Sequence, residues 1–232
     1  MRHQITGTTL PVLQVTLAAG ETLLAETDRL SWMTNNIALE TTTSAGTGGG
    51  GFFGAIGRAI SGGGLFMTHF TAQGGEGLVA FAATVPGAII EEQVSPGRGF
   101  MIHRHGFLAG SAELTLAIGF QQNLGSGVFG GNGFVLQRLT GQGTAFIELG
   151  GEIVSYELQP GQQLLVHPGH VGMFEESVGF DITMMRGIRN VLFGGDGLFL
   201  AQLTGPGRVW LQTLTPSKLA HALEPYLPRD QK

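Results

Sequence analysis

The chain predicts an all-β protein of three repeats of a short double-stranded β-helix or β-sandwich unit, followed by a short C-terminal helix. Three observations carry that prediction. The first is self-similarity at an offset of 64 residues. Gly87, Ile89, Ile90, Val94, Pro96, Gly97, Phe100, Met101, Ile102 and His103 line up with Gly151, Ile153, Val154, Leu158, Pro160, Gly161, Leu164, Leu165, Val166 and His167. A fixed repeat period sets architecture before any local assignment does. The second is period-two patterning, the mark of a half-buried strand, at residues 12–17, 134–139 and 198–203. The third is turn chemistry between such runs: Pro96-Gly97, Pro160-Gly161, Gly141-Gln142-Gly143 and Gly205-Pro206-Gly207. Proline presets φ for the first turn position and glycine accepts positive φ at the next.

The elements follow in order. The first unit, residues 8–86, opens with Val12, Leu17, Gly20, Leu23 and Leu24, which match Ile153, Leu158, Gly161, Leu164 and Leu165. A glycine-rich insertion at residues 46–64 encloses Phe52, Phe53, Ile56 and Ile60 and reads as a short helix or hairpin, or as a partner-seeking loop. The unit's second half runs from Gly64 through Leu65, Met67, Phe70 and Thr71 to Gly77. The second unit spans residues 87–149 and carries a glycine-rich joint at 124–133. The third spans 150–214, its Gly197 to Gly207 half repeating Gly133 to Gly143. Only residues 217–227 read as helical, with Ser217 as N-cap, Leu219, Leu223 and Leu227 on one face, and Pro225 limiting the length.

Composition excludes several classes. The 232 residues include 40 glycines without a collagen period, and charged residues make up 12% against about 25% in average domains. With 42% hydrophobic residues, the chain folds rather than staying disordered. A net charge of −5 and two lysines, Lys218 and Lys232, argue against a phosphate-binding surface. The closest basic pair is Arg186 with Arg189. Zero cysteines remove disulfides, thiolate metal sites and Cys nucleophiles. No signal peptide opens the chain, and the longest apolar stretch, residues 77–90, is broken at Pro86-Gly87, short of the ~20 residues of a span. A cytoplasmic protein without a transmembrane segment is expected.

The candidate chemistry is sparse. Gly97 followed by His103-Arg104-His105 has the spacing that opens a cupin metal motif, and imidazoles two apart on a strand share a face. The pattern then breaks, because Ala109 and Gly110 stand where a glutamate is needed. Glu26 is the first-unit equivalent of His103 and His167, so a His-His-Glu ring forms if the units converge on one axis. Gly125, Gly127 and Gly130 satisfy G-x-G-x-x-G but lack the flanking strand, helix and acid of a dinucleotide site. Glu91-Glu92 and Glu175-Glu176 are adjacent in sequence and so face opposite sides of a strand. No catalytic, cofactor-binding or metal-ligating residue is assigned, and no cofactor is expected.

The assembled motifs resemble a known family. Residues 65–71 (Leu-Phe-Met-Thr-His-Phe-Thr), Val85-Pro86-Gly87-Ala88-Ile89, Gly106-Phe107-Leu108-Ala109, the run from Gly133 to Gly143, and Pro168-Gly169-His170-Val171 are similar to the family named for altered inheritance of mitochondria. The tail Lys218-Leu219-Ala220 with Pro225-Tyr226-Leu227-Pro228 fits that family's ending. The resemblance implies a fold like that of the trp RNA-binding attenuation protein, three units per chain, with chains joined into rings. It implies no catalytic residues, and the RNA-binding lysines of the attenuation protein have no counterparts here. The leading expectation is therefore a non-enzymatic assembly or scaffold protein, a homotrimeric ring of roughly nine units with an unidentified protein or small-ligand partner. The alternatives are a cupin-like metal enzyme using His103, His105 and His167, and single-stranded RNA binding.

Overall fold

A computed structural model describes residues 1–43, 65–122, 133–185 and 198–227. The insertion at 46–64, the G-x-G-x-x-G stretch at 125–130, and Arg186, Arg189 and Lys232 lie outside the described residues.

Strands dominate the described residues. A first strand, β1 (Arg2–Thr6), precedes three sets of six. The first set is β2 (Val12–Leu17), β3 (Thr22–Glu26), β4 (Trp32–Met33), β5 (Ile37–Thr43), β6 (Phe66–Ala72) and β7 (Gly77–Ala82). The second is β8 (Gly87–Val94), β9 (Phe100–His103), β10 (Phe107–Ser111), β11 (Leu114–Gln122), β12 (Phe134–Gly141) and β13 (Gly143–Gly150). The third is β14 (Ile153–Leu158), β15 (Gln163–Val166), β16 (Val171–Glu175), β17 (Gly179–Met185), β18 (Leu198–Thr204) and β19 (Gly207–Gln212).

Pairing is antiparallel throughout and follows one rule in each set. The sixth strand lies between the first and third, and the fifth between the second and fourth. The sets then share sheets. β3 pairs with β10, and β9 pairs with β16, so the second strand of one set always meets the third strand of the next. The result is four sheets in the orders β1-β2-β7-β4, β5-β6-β3-β10-β13-β8, β11-β12-β9-β16-β19-β14 and β15-β18-β17.

Local chemistry explains the repeated turns. Gly20, Gly97 and Gly161, at the same turn of each set, have φ of 81°, 83° and 77°, the left-handed region where a Cβ is penalised. The third strands of the second and third sets carry matching register shifts, at Phe107/Ala109 and Val171/Met173. In β2 alternation buries one face, with Leu13, Val15 and Leu17 inward and Val12, Gln14 and Thr16 half-buried, whereas β10, β13 and β16 are buried on both faces. Three apolar cores result, centred on Phe70, Phe81 and Phe146, on Phe100, Phe107 and Trp210, and on Phe134, Phe174 and Leu203.

The helix differs in detail from the sequence expectation of 217–227. α1 (Pro216–Leu223) is capped by Thr215, not Ser217: the Thr215 hydroxyl accepts from Lys218 N at 3.2 Å and Pro216 occupies the first turn. A 3-10 turn at Glu224–Tyr226 follows, because Pro225 cannot continue an α-helix. Leu223 and Leu227 of the expected apolar face are exposed. Among the described residues no helix is long and apolar enough to cross a membrane.

Candidate functional site

The described polar residues converge most densely where the first and second sets meet. β3 ends in Glu26 at this junction, and the following loop supplies Arg29. β12 and β13 bury Gln137 and Glu148 among the apolar residues Val135, Leu136, Ile147 and Leu149. Both carboxylate side chains and the Arg29 side chain are below a tenth exposed. Arg29 Nη1 donates to Glu148 Oε2 at 3.0 Å, and its Nε lies 3.5 Å from Glu26 Oε2. Arg29 Nη2 donates to the His105 carbonyl, and Nη1 also donates to Thr84 Oγ1 at 2.8 Å. Gln137 Nε2 donates to Glu26 Oε1 at 2.7 Å. Thr84 N and Val85 N donate to Glu148 Oε1 at 2.6 and 3.1 Å. One guanidinium thus serves two carboxylates, while Glu148 also holds the backbone that links the sets.

Electrostatics favours the ionised carboxylate. Burial pushes the Glu26 carboxyl upward, but the nearby His105, the hydrogen bond from Gln137 and the charge of Arg29 outweigh it, leaving it below 4.5. His103 is the reverse case. Burial drives it below 6.5, so its ring is neutral, and its Nε2–H donates to the Glu148 carbonyl at 3.0 Å. Arg29 Nε and Gln137 Oε1 make no hydrogen bond although buried.

The histidines do not form the constellation their spacing suggests. β9 ends at His103, and His105 sits in the next turn with φ of 64°, so strand alternation stops between them and they share no face. His105 is largely exposed, its Nδ1 3.9 Å from Glu26. His167 stands with His170 instead, their rings 5.8 Å apart; burial, His170 and Lys218 lower its pKa. His170 Nδ1–H donates to the Gln212 carbonyl at 2.7 Å, and Lys218 Nζ donates to its Nε2 at 2.7 Å. Among the described residues no group of three or more histidine and acidic side chains is placed to hold a metal ion.

The paired glutamates brace strands. Glu91 meets His3 at 3.0 Å. Arg98 spans Glu92 and Glu175 at 3.3 Å each, and Arg138 pairs with Glu176. Burial raises the Glu92 carboxyl against the pull of Arg98. Glu92 therefore works across the second junction rather than with its sequence neighbour.

Sequence reasoning passed over Arg29, Gln137 and Glu148. A signal was present: a charged or amide side chain inside Ala145-Phe146-Ile147-Glu148-Leu149 or Phe134-Val135-Leu136-Gln137 must be paired if that strand is buried on both faces.

An antiparallel protein of linked six-stranded sets, braced by buried ions, is the class these features define. The family model described as mitochondrial biogenesis AIM24 matches residues 3–214, and the chain belongs to that family. The crystal structure of protein SPYM3_0169 from Streptococcus pyogenes superposes with a TM-score of 0.76 at 24% identity, covering 97% of this chain and 99% of that one. At that identity the likeness speaks to the fold. A comparison with curated proteins finds no match.

Proposed function

We propose that the chain is a non-enzymatic assembly protein, three repeats of one six-stranded unit, whose copies join into a ring of three that holds a protein or small-ligand partner. The observation that carries this reading is the use made of the buried polar side chains. Glu26, Arg29, Gln137, Glu148 and His103 are spent on one another and on backbone at the join between units. The matching pairing rule of the three sets supports the repeat, and the family's link to mitochondrial biogenesis fits an organising role.

Elemental analysis of untagged protein, purified without chelator, tests the non-enzymatic half. Metal well below one equivalent, with no thermal shift on adding Zn, Mn, Fe or Ni salts, is the expected result. A full equivalent, lost on replacing His103 and His105, overturns it in favour of a metal enzyme. Light scattering tests the ring: the expected mass is near three times 24.4 kDa. Removing residues 48–63 is expected to leave that mass unchanged while abolishing co-purification of a partner. Single-stranded RNA is expected to bind no more tightly than non-specific levels at physiological salt.

A further inference from the structure

The turn between β15 and β16 and the start of α1 bring three nitrogen-bearing side chains together, away from the buried junction. A 3-10 turn over Pro168–His170 has His167 at its N-cap. Three residues complete one turn of such a helix, so His167 and His170 share a side of it, their rings 5.8 Å apart. α1 places Lys218 against the second ring, its Nζ 2.7 Å from His170 Nε2.

The partners fix the protons of this pair. His170 Nδ1 lies 2.7 Å from the Gln212 carbonyl, which can only accept, so Nδ1 carries the hydrogen. Nε2 of the neutral ring is then a bare acceptor, and the Lys218 ammonium donates to it. The buried Gln212 is itself held, its Oε1 accepting from Gly150 N at 2.9 Å and its Nε2 donating to the Gly169 carbonyl at 3.1 Å. Lys218 is fixed from its own side by the helix cap, because its main-chain N–H donates to Thr215 Oγ1 at 3.2 Å. A nucleophile, a base and the carbonyl that orients the base thus stand in one hydrogen-bonded line. Arg2, Arg29, Arg98, Arg138 and Arg208 each pair with a glutamate, whereas the exposed Lys218 meets an imidazole.

We propose that Lys218 is a site of acylation by acyl thioesters, with His170 as the base that takes its proton. The amine form of Lys218 attacks the thioester carbonyl carbon, and a C–N bond forms. His170 Nε2 removes the proton from that nitrogen as it becomes positive. The C–S bond then breaks, and the departing thiolate takes the proton from the imidazolium. The products are an amide at Lys218 Nζ and a free thiol; His170 ends neutral, and nothing is oxidised or reduced. Acylation removes the Lys218 charge. It thereby replaces the charged hydrogen bond that ties α1 to the 3-10 turn with a weaker, neutral one.

The chain's only other lysine, Lys232, serves as an internal reference. The full, untagged chain is incubated with acetyl-coenzyme A at neutral pH, and acetylation of each lysine is followed by peptide mass spectrometry. A positioned general base contributes about 10²–10⁴-fold in enzymes, and a pair without a substrate cleft is expected to favour Lys218 over Lys232 by about tenfold. His170→Gln keeps an acceptor for Lys218 and removes the base. In that variant Lys218 is expected to fall to the rate of Lys232 while amide exchange in α1 stays as slow as before. Equal rates at the two lysines of the unaltered chain overturn the proposal, as does an advantage for Lys218 that survives His170→Gln. Thr215→Ala, which loosens α1 and keeps His170, separates the base from helix packing. It is expected to retain most of the advantage. A loss as large as that in His170→Gln assigns the effect to packing and overturns the role of the base.

Discussion

The two internal joins use the same backbone and different chemistry. Glu148 in the first and Gln212 in the second occupy the same position, paired with Ile89 and Ile153, which are themselves 64 residues apart. Each side chain holds the link between its sets: Glu148 accepts from Thr84 N and Val85 N, and Gln212 accepts from Gly150 N at 2.9 Å. The carboxylate has no donor of its own, so the first join recruits Arg29, and with it Glu26 and Gln137. The amide supplies its own donor, to the Gly169 carbonyl at 3.1 Å, and the second join keeps its ion pairs, Arg98 with Glu175 and Arg138 with Glu176, nearer the surface. Main-chain pairing defines the join; the side chains set how it responds to mutation and pH.

The sharpest break in this contrast is Arg29→Met. It leaves two buried carboxylates without their cation, a change that costs about 3–5 kcal/mol when one partner of a buried pair is removed. Urea unfolding should show that loss, and Arg29→Met/Glu148→Gln should recover part of it by giving the first join the chemistry of the second. An unchanged unfolding midpoint in Arg29→Met alone would remove the buried network as a source of stability.

The pH response of the first join comes next. Glu26 has a folded pKa below its ordinary 4.5, so its contribution is complete above that value and is lost as pH falls through the lower folded value. His103 is likewise lowered, from 6.5, and protonation favours the unfolded chain; stability therefore begins to decline as pH drops below 6.5. In a melting-temperature series, His103→Phe should flatten the upper part of the decline, and Glu26→Gln the lower part.

Thr215→Ala removes the α1 cap and should cost about 1 kcal/mol, read as faster amide exchange in that helix with the sheets unaffected. The smallest effect belongs to Arg98→Gln. Its side chain is 43% exposed, and surface pairs contribute about 0–1 kcal/mol, so unfolding should shift barely, and less still at high salt.

Much of the fold was legible locally. β2 matches the alternating run at residues 12–17, and the strands predicted at 134–139 and 198–203 lie within β12 and β18. Alternation and turn glycines act over a few residues, so a linear reading reaches them. The helix cap slipped from Ser217 to Thr215 because both are capping residues and the backbone chose between them. The His103–His105 reading assumed that the strand continued; the turn at His105 ended it. The Glu26–Gln137 and Arg29–Glu148 contacts span 111 and 119 residues, beyond any motif window.

By itself, the amino-acid order determined the strands, the glycine turns, the 64-residue correspondence and the family likeness, because each rests on side-chain periodicity or on φ preferences of single residues. Only the tertiary structure decided which strand of one set meets which strand of the next. It also decided that Glu26, Arg29 and Glu148 share one buried site, and that, among the described residues, the strands of Trp32 and Leu165 stand at the ends of their sheets. Sheet partners are selected by packing between distant segments, and a buried charge reveals its role only once its counterion is in place.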